Sequence, residues 1–345
     1  MSNEALVAVV ILNYNGQKFL EKFLPGVIKH SSTHAIYVAD NGSTDGSQAY
    51  LTANFPSVHQ IDNNANVGYA GGYNMALKNV KAKYYVLLNS DVAVPENWLT
   101  PMITLMEDNP KIAACQPKIL DEAKPNCFEY AGASGGFIDR FGYPFCRGRV
   151  FNHLEKDIQQ YNNAREVFWA TGACLFVRAE TFWEAGGFDT DYFAHMEEID
   201  LCWRLKNLGY QIYVQPASVI YHVGGGTLNK LSTRKTYLNF RNNLTTLTKN
   251  HPPKHLFFKI FIRLILDGVA GFKFLFDGQP SHSFAVFRAH MTYYRWLPKT
   301  LSKRKSLKQK NNFAFNCRNM YQGNVVFEHF VKGKKHFGDL DKGYF

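Results

Sequence analysis

Four polar clusters in the 345-residue chain carry residue types that can do chemistry. Asn13-Tyr14-Asn15-Gly16, Asp40-Asn41-Gly42-Ser43-Thr44-Asp45-Gly46-Ser47 and Asn89-Ser90-Asp91 each follow a short apolar run, and Glu197-Glu198-Ile199-Asp200 opens a helix-like segment. A carboxylate just beyond a strand can hold a hard cation through its oxygens or accept hydrogen bonds from a ligand's N–H and hydroxyl groups. Each cluster also has a plainer explanation. Asn-Gly and Asp-Gly are ordinary turn formers, and acidic residues at a helix start gain about 0.3–1 kcal/mol each from the helix dipole. Taken jointly, the first three resist the plain reading, because ligands of open α/β sheets bind beyond the carboxyl ends of the strands. All three clusters would then face one crevice.

The elements that must position them follow from hydrophobic patterning. Residues 6–12 (LVAVVIL), 35–39 (AIYVA), 58–61 and 84–88 (YYVLL) read as buried strands. Helix-like stretches reach to about 29, to 54, and over 73–80, so parallel strands joined by helices are expected. Residues 66–72 read as a glycine-rich loop without the spacing of a dinucleotide or P-loop site. Residues 101–165 are less regular. Residues 168–178 then read as strand, 178–185 and 197–207 as helix, and 211–214 as strand, with 219–226 (VIYHVGGG) closing the region; no internal repeat is evident. Trp183 and Trp203 fall at helical packing positions and are expected in the core.

With 46% hydrophobic and 15% aromatic residues the chain has ample material for a core. Its net charge of +11 is unevenly spread: residues 1–224 hold 17 Lys and Arg against 23 Asp and Glu, and residues 225–345 hold 22 against 5. A protein that wraps nucleic acid with its whole surface would not be built so; a catalytic domain with a cationic appendage would. The six cysteines form no C-x-x-C pair or metal-finger spacing, and the N-terminus lacks a basic segment leading into a long apolar one. Both lead to the expectation of a cytoplasmic protein. Residues 256–276 are apolar but broken by Lys259, Arg263, Asp267 and Lys273, too interrupted to span a bilayer. Aromatic and aliphatic residues interleaved with cations suit a helix lying in a membrane interface, and Lys303-Arg304-Lys305, Lys308 and Lys310 form a polybasic run suited to anionic headgroups.

Seven motifs in order, VVILNYNG, VADNGSTDGS, NVGYAGGYNMAL, VLLNSDVAVP, ATGACLFVRAETFWEAGGFDTDYF, MEEIDLCWRLKNLGY and YHVGGG, give residues 6–226 a specific resemblance to the family 2 glycosyltransferases, particularly the rhamnosyltransferase-like branch. The resemblance implies a GT-A fold, that is, a Rossmann-like, mostly parallel sheet flanked by helices. It also implies a nucleotide-diphosphate-sugar donor, a divalent cation (Mg²⁺ or Mn²⁺) and inversion at the anomeric carbon. Residues 1–226 would form the catalytic domain and residues 227–345 a basic, mainly helical region associating with membrane.

Carried over residue by residue, the resemblance places Asp40 on the nucleotide and the ring of Tyr14 against the base, with Asn66, Gly68 and Gly72 allowing close approach of the donor. Asp45 is expected mainly to shape its turn. Asp91 would hold the cation against the donor diphosphate, and His222, in the matching tail motif, would approach the metal. The family often has a second acidic residue beside Asp91, where this chain has Asn89-Ser90-Asp91-Val92. Glu198 falls at the catalytic-base position, one methylene longer than the Asp of the family motif. Trp169, Thr171, Gly172 and Asp200 would line the acceptor side. The acceptor expected is a glycan or a polyprenyl-linked sugar at the inner face of a bacterial plasma membrane, with rhamnose as a possible donor sugar. Two other classes compete. A nucleotidyltransferase should carry a glycine- and Lys/Arg-rich first loop, which Asn-Tyr-Asn-Gly is not. A nucleic-acid-binding protein using the basic third would leave Asp40, Asp91 and Glu198 without a role.

Overall fold

The computed structural model describes residues 5–224 and 232–345. The first half runs β1 (Ala5–Asn13), α1 (Gln17–His30), β2 (Ala35–Asp40), α2 (Ser47–Asn54), β3 (His59–Asp62), α3 (Gly68–Leu77), β4 (Ala82–Asn89), β5 (Val92–Ala93), α4 (Thr100–Asp108) and β6 (Ile112–Asp121). Four short strands follow, β7 (Gly136–Ile138), β8 (Pro144–Cys146), β9 (Arg149–Val150) and β10 (His153–Leu154), and then β11 (Arg165–Val167), β12 (Cys174–Arg178), α5 (Ala179–Glu184), α6 (Glu197–Asn207) and β13 (Gln211–His222). The rest is helical: α7 (Thr233–Asn250), α8 (Leu256–Phe276), α9 (Pro280–Lys308) and α10 (Val325–Phe330).

Strands buried on both faces, such as Val7 to Val10 of β1, belong inside a parallel sheet covered by helices. The main sheet has the order β11-β13-β6-β12-β4-β1-β2-β3, with β5 paired to β13. β3, β2, β1 and β4 are parallel, and β12 enters antiparallel between β4 and β6. Helix α1 seals one face with Leu20, Phe23, Leu24 and Val27, an i, i+3, i+4, i+7 stripe. β13 runs parallel to β6 and is one strand rather than the two pieces expected, joined through a register shift between Gln215 and Val219.

The expected glycine loop at 66–72 is largely the first turn of α3. Gly68 has φ +77°, and a Cβ there would run into the carbonyl of Phe193; one at Gly72 would stand 2.8 Å from Leu12 Cδ1. Those missing side chains let α3 close onto the 193 loop and onto β1, so the protein itself occupies the space expected for the donor. Trp203 is fully buried as expected, but Trp183 is partly exposed, its Nε1–H donating to Tyr85 Oη at 3.2 Å.

The expected boundary at 226/227 lies outside the described residues. Beyond it, α7 packs on α6 with every residue from Arg241 to Asn250 buried. The C-terminal tail returns to the small sheet β10-β9-β8-β7, where Tyr321 N–H donates to Ile138 O, Val325 N–H donates to Asp139, and Phe337 stacks among Phe137 and Phe145. Three of the five cations of the polybasic run are engaged by the protein itself, while Lys305 and Lys308 stay exposed. Lys303 bridges Asp189 and Asp191, Arg304 donates to the carbonyls of Thr248 and Lys249, and Lys310 donates to that of Glu184.

Helix α8 is inside out. Its buried residues are Arg263, Asp267 and Gly271, four apart, while Phe257 is 86% exposed, Val269 60% and Phe276 89%. Arg263 and Asp267 pair at 2.7 Å, and Tyr143 Oη–H donates to the same carboxylate. Among the described residues no helix is long and apolar enough to cross a membrane.

Candidate active site

The parallel register brings the strand-end clusters together. Asn13 pairs with Asp40 across β1 and β2, and Leu12 with Asn89 across β1 and β4, so all three clusters open on one edge of the sheet. Asp40 is almost fully enclosed. Its carboxylate accepts from Asn13 Nδ2 at 3.1 Å, Gly42 N at 3.1 Å, Ser43 N at 2.8 Å and Gln48 Nε2 at 3.0 Å. Burial would raise its pKa, but the bonds from Ser43, Asn13 and Gln48 outweigh burial and hold it below the ordinary range. The side chain thus organises the loop a nucleotide would meet. Asp45 does likewise, capping Ser47 and accepting from Gln17 N at 2.8 Å. Tyr14 is 38% exposed at the mouth, and Asn66 Oδ1 accepts from Gly68 N at 3.0 Å and from Asn41 Nδ2.

Asp91 sits two residues past β4, where β5 pairs with the end of β13 and sets Val92 beside His222. His222 Nε2 lies 3.1 Å from Asp91 Oδ1 and its Nδ1 lies 3.2 Å from Glu129 Oε2. Burial opposes a charge on the ring, yet hydrogen bonding to Asp91 and Glu129 prevails and pushes His222 up to about 10. The imidazolium therefore serves as the cation between two carboxylates. This donor set fits a divalent metal that displaces the ring proton facing Asp91. Glu129 orients the ring through one nitrogen, as outer carboxylates commonly do for metal-binding histidines, and the other nitrogen and Asp91 converge. No three His, Cys, Asp or Glu side chains among the described residues form a closed cage, so water and substrate oxygens would complete the shell, as hard cations prefer. Glu129 escaped sequence reasoning: it lies in a stretch without periodicity, and only the fold brings it to His222.

Glu198 stands in the first turn of α6. The approach to that turn is strained, since Phe193, His195 and Met196 have φ of +62°, +68° and +74° without being glycine. The Phe193 carbonyl accepts from Ala70 N at 3.3 Å, which ties this loop to α3. Glu198 Oε2 is buried without a partner among the described residues, and burial pushes its carboxyl up to about 7. Burial and the neighbouring Glu198 raise Glu197 well above the carboxylate range. The charges of Glu129 and Glu198 both act on the buried thiol of Cys146, which sets the Asp91–His222–Glu129 chain and Glu198 in one neighbourhood. Arg149, with an unpartnered Nε, donates to that same thiol at 3.2 Å and is a further residue the sequence did not single out.

The expected acceptor residues require correction. Asp200 is 0% exposed and saturated by Arg204 at 2.8 Å, Lys249 at 2.8 Å and Asn250 at 2.7 Å, which makes it the joint between α6 and α7. Trp169 is buried against Gly136 with its Nε1–H on Phe137 O. Thr171 caps Ala173 N, and the Gly172 carbonyl accepts from Tyr69 Oη at 2.7 Å. All three are interior, so they support the site from behind and present no side chain to an acceptor.

Carboxylates gathered beyond parallel strands and a desolvated glutamic acid on a strained helix start suit a group-transfer enzyme on a GT-A-type sheet. Residues 8–184, about half of the chain, match the family described as Glycosyl transferase family 2, and the chain belongs to that family. It is a glycosyltransferase. It is 26% identical over 238 residues to the N-acetylglucosaminyl-diphospho-decaprenol L-rhamnosyltransferase of Mycobacterium tuberculosis, covering 64% of this chain and 78% of that one. It is 25% identical over 224 residues to the rhamnosyltransferase WbbL of Escherichia coli, covering 63% and 83%. The fold resembles the mannosyltransferase PcManGT of Pyrobaculum calidifontis, solved with GDP-Man and Mn²⁺, at TM-score 0.50 and 14% identity over 85% of this chain and 88% of that one. It also resembles GalNAc-T7, solved with UDP, GalNAc and Mn²⁺, at TM-score 0.55 and 14% identity over 72% of this chain, which spans only 48% of that one. Nothing favours the nucleic-acid reading.

Proposed function

We propose that the enzyme transfers a sugar, with rhamnose the leading choice, from a nucleotide-diphosphate donor to a glycan or polyprenyl-linked acceptor of a cell-surface polysaccharide, with inversion. The carrying observation is Glu198: a buried carboxyl with an oxygen unpartnered among the described residues, pushed by burial up to about 7. A base poised near neutrality is matched to taking a hydroxyl proton. In the step proposed, Glu198 accepts the acceptor's hydroxyl proton as that oxygen bonds to the anomeric carbon. The bond from this carbon to the diphosphate oxygen breaks on the opposite face, and its electron pair leaves with the nucleoside diphosphate. Asp91 and His222 would hold a divalent cation, Mg²⁺ or Mn²⁺, whose charge offsets that of the departing diphosphate. Tyr14, Asp40 and the Asn66 loop would frame the nucleotide.

The inside-out α8 supports work at a membrane surface, and the cytoplasmic side is the side we propose, where nucleotide sugars are found. Its outward Phe257, Phe261, Val269 and Phe272 are laid out as an interfacial helix requires. A screen of UDP-, GDP- and dTDP-sugars with and without EDTA tests the transferase reading: turnover of at least one donor, lost on chelation and restored by Mg²⁺ or Mn²⁺, is expected. Absence of turnover and of nucleotide binding with either cation would refute it.

A further inference from the structure

Between α7, α9 and the loop that leads to Glu198 lies a pocket of about 610 Å³ lined by Phe193, Arg234, Tyr237, Arg241, Phe284 and Arg288. Three arginines meet there, and none is matched to a carboxylate among the described residues. Their planes lie instead on aromatic rings: Arg234 on Phe193 at 4.5 Å, Arg241 on Trp296 at 4.3 Å and Arg288 on Tyr237 at 5.4 Å. Arg241 is buried and further held by the carbonyls of Asp191 and Tyr192 at 3.1 and 3.2 Å. The contrast with neighbouring cations is sharp, because Lys249 of α7, Arg263 of α8 and Lys299 and Lys303 of α9 all pair with Asp. Arg241 is engaged by Asn242, Tyr237 and those two carbonyls and fixes the pocket wall, whereas the stacked guanidiniums of Arg234 and Arg288 can turn N–H edges to an anion, and such edges match phosphate oxygens in pairs.

Location supplies the rest. Phe193 forms one wall and belongs to the strained loop that sets Glu198. Phe284 forms another and is 61% exposed, continuous with Phe287 on the outward face of α9. The start of α9 abuts the end of α8, where Phe274 and His282 rings lie 5.3 Å apart. An amphiphile resting its chain on the apolar face of α8 and α9 would therefore place an anionic head among the arginines and what that head carries toward Glu198. We infer that this pocket binds the diphosphate of a prenyl-diphosphate-linked acceptor. The inference deepens the proposed function and rests on its acceptor reading.

Farnesyl diphosphate, a short water-soluble prenyl diphosphate, serves as probe for calorimetric titration of the full chain. Binding is expected, at least tenfold weaker for Arg234→Ala/Arg288→Ala and partly restored for Arg234→Lys/Arg288→Lys. Both arginines are exposed, so the fold is not at stake, and unchanged melting checks this. Farnesol and inorganic pyrophosphate, each holding one half of the ligand, are expected to bind at least tenfold more weakly than the whole. Equal binding of the alanine variant, or farnesol as tight as the diphosphate, would overturn the inference, as would displacement by phosphatidylglycerol vesicles as strong as by a longer prenyl diphosphate, which would mark a general headgroup site. UDP and dTDP affinities of the same variants are expected to match wild type. Failure of every nucleotide sugar with farnesyl diphosphate binding intact would sink the transferase reading and leave the pocket standing.

Discussion

Glu198→Gln separates chemistry from stability at one atom. The substitution keeps size and removes the ability to accept a proton, so turnover of the donor to product is expected to fall by about 10²–10⁴, with nucleotide affinity little changed. Stability should move the other way. A glutamate raised from its ordinary 4.5 to about 7 by burial is protonated in the folded chain over a range where the unfolded chain has ionised. Folding stability from this group is therefore full below about pH 4.5 and is lost as pH rises through about 7. At about 1.4 kcal/mol per tenfold change in proton affinity, the cost of ionising the buried carboxyl is on the order of 3 kcal/mol. Gln carries no such cost, so the variant should melt several degrees above wild type at pH 8.5 and together with it at pH 4.5. Glu197, Tyr69, Cys146 and Cys202, the groups around this carboxyl, are neutral or acidic, and the cation met there, Arg149, is engaged with the Cys146 thiol. Wild-type turnover should accordingly rise with pH through about 7. Melting scans at the two pH values and a pH series of turnover decide the matter. A stability gain equal at both pH values, or turnover within tenfold of wild type, would refute the reasoning.

Asp200→Asn should leave Lys249 and Arg204 buried with a weakened partner and cost about 3–5 kcal/mol, as breaking a buried pair does; a denaturant midpoint measures it. A raised acceptor KM without loss of stability would return Asp200 to the acceptor site. Gly68→Ala, at φ +77° and against the Phe193 carbonyl, should lower both melting temperature and turnover, since the loop before Glu198 must shift. Gly26→Ala, in α1 with open space around it, is the control and should stabilise by up to about 1 kcal/mol with turnover unchanged.

Much of the site was legible because its signals are local. A buried strand announces itself by an apolar run, and the polar residue that ends it follows at once, so Asn13, Asp40 and Asp91 could be read as neighbours before any contact was known. What remained hidden depends on long-range packing or on helix phase. Glu129 reaches His222 only through the fold, and Arg149 and the arginine pocket are assembled from segments far apart in sequence. Asp200 shares the acidic start of α6 with Glu198, but two residues turn about 200° round a helix, which carries it to the α7 side and its buried cations. The same phase argument turns Arg304 inward within a run of lysines. Glycines 68 and 72 read as room for a ligand, because absence of a side chain does not say which neighbour fills the space.

The distribution of cations gives the proposed function a physical logic. The basic third of the chain holds 22 Lys and Arg, yet a good part of that charge is consumed inside: Lys249, Lys299 and Lys303 neutralise Asp189, Asp191 and Asp200, fixing the helical layer beneath the loop that aims Glu198. Helix α8 likewise buries an Arg–Asp pair and turns phenylalanines outward. Fully burying a large apolar side chain is worth about 1.5–3 kcal/mol, so leaving that many in water forgoes more stability than a domain normally has in reserve. Polar contacts inside and apolar ones outside suit a helix whose outer face is covered, and the proposed function assigns that cover to lipid. On that reading the three arginines of the pocket beside Phe193, which have no carboxylate partner among the described residues, stand where a phosphorylated lipid would enter. Helices that met the membrane in this way would also present the acceptor to the base.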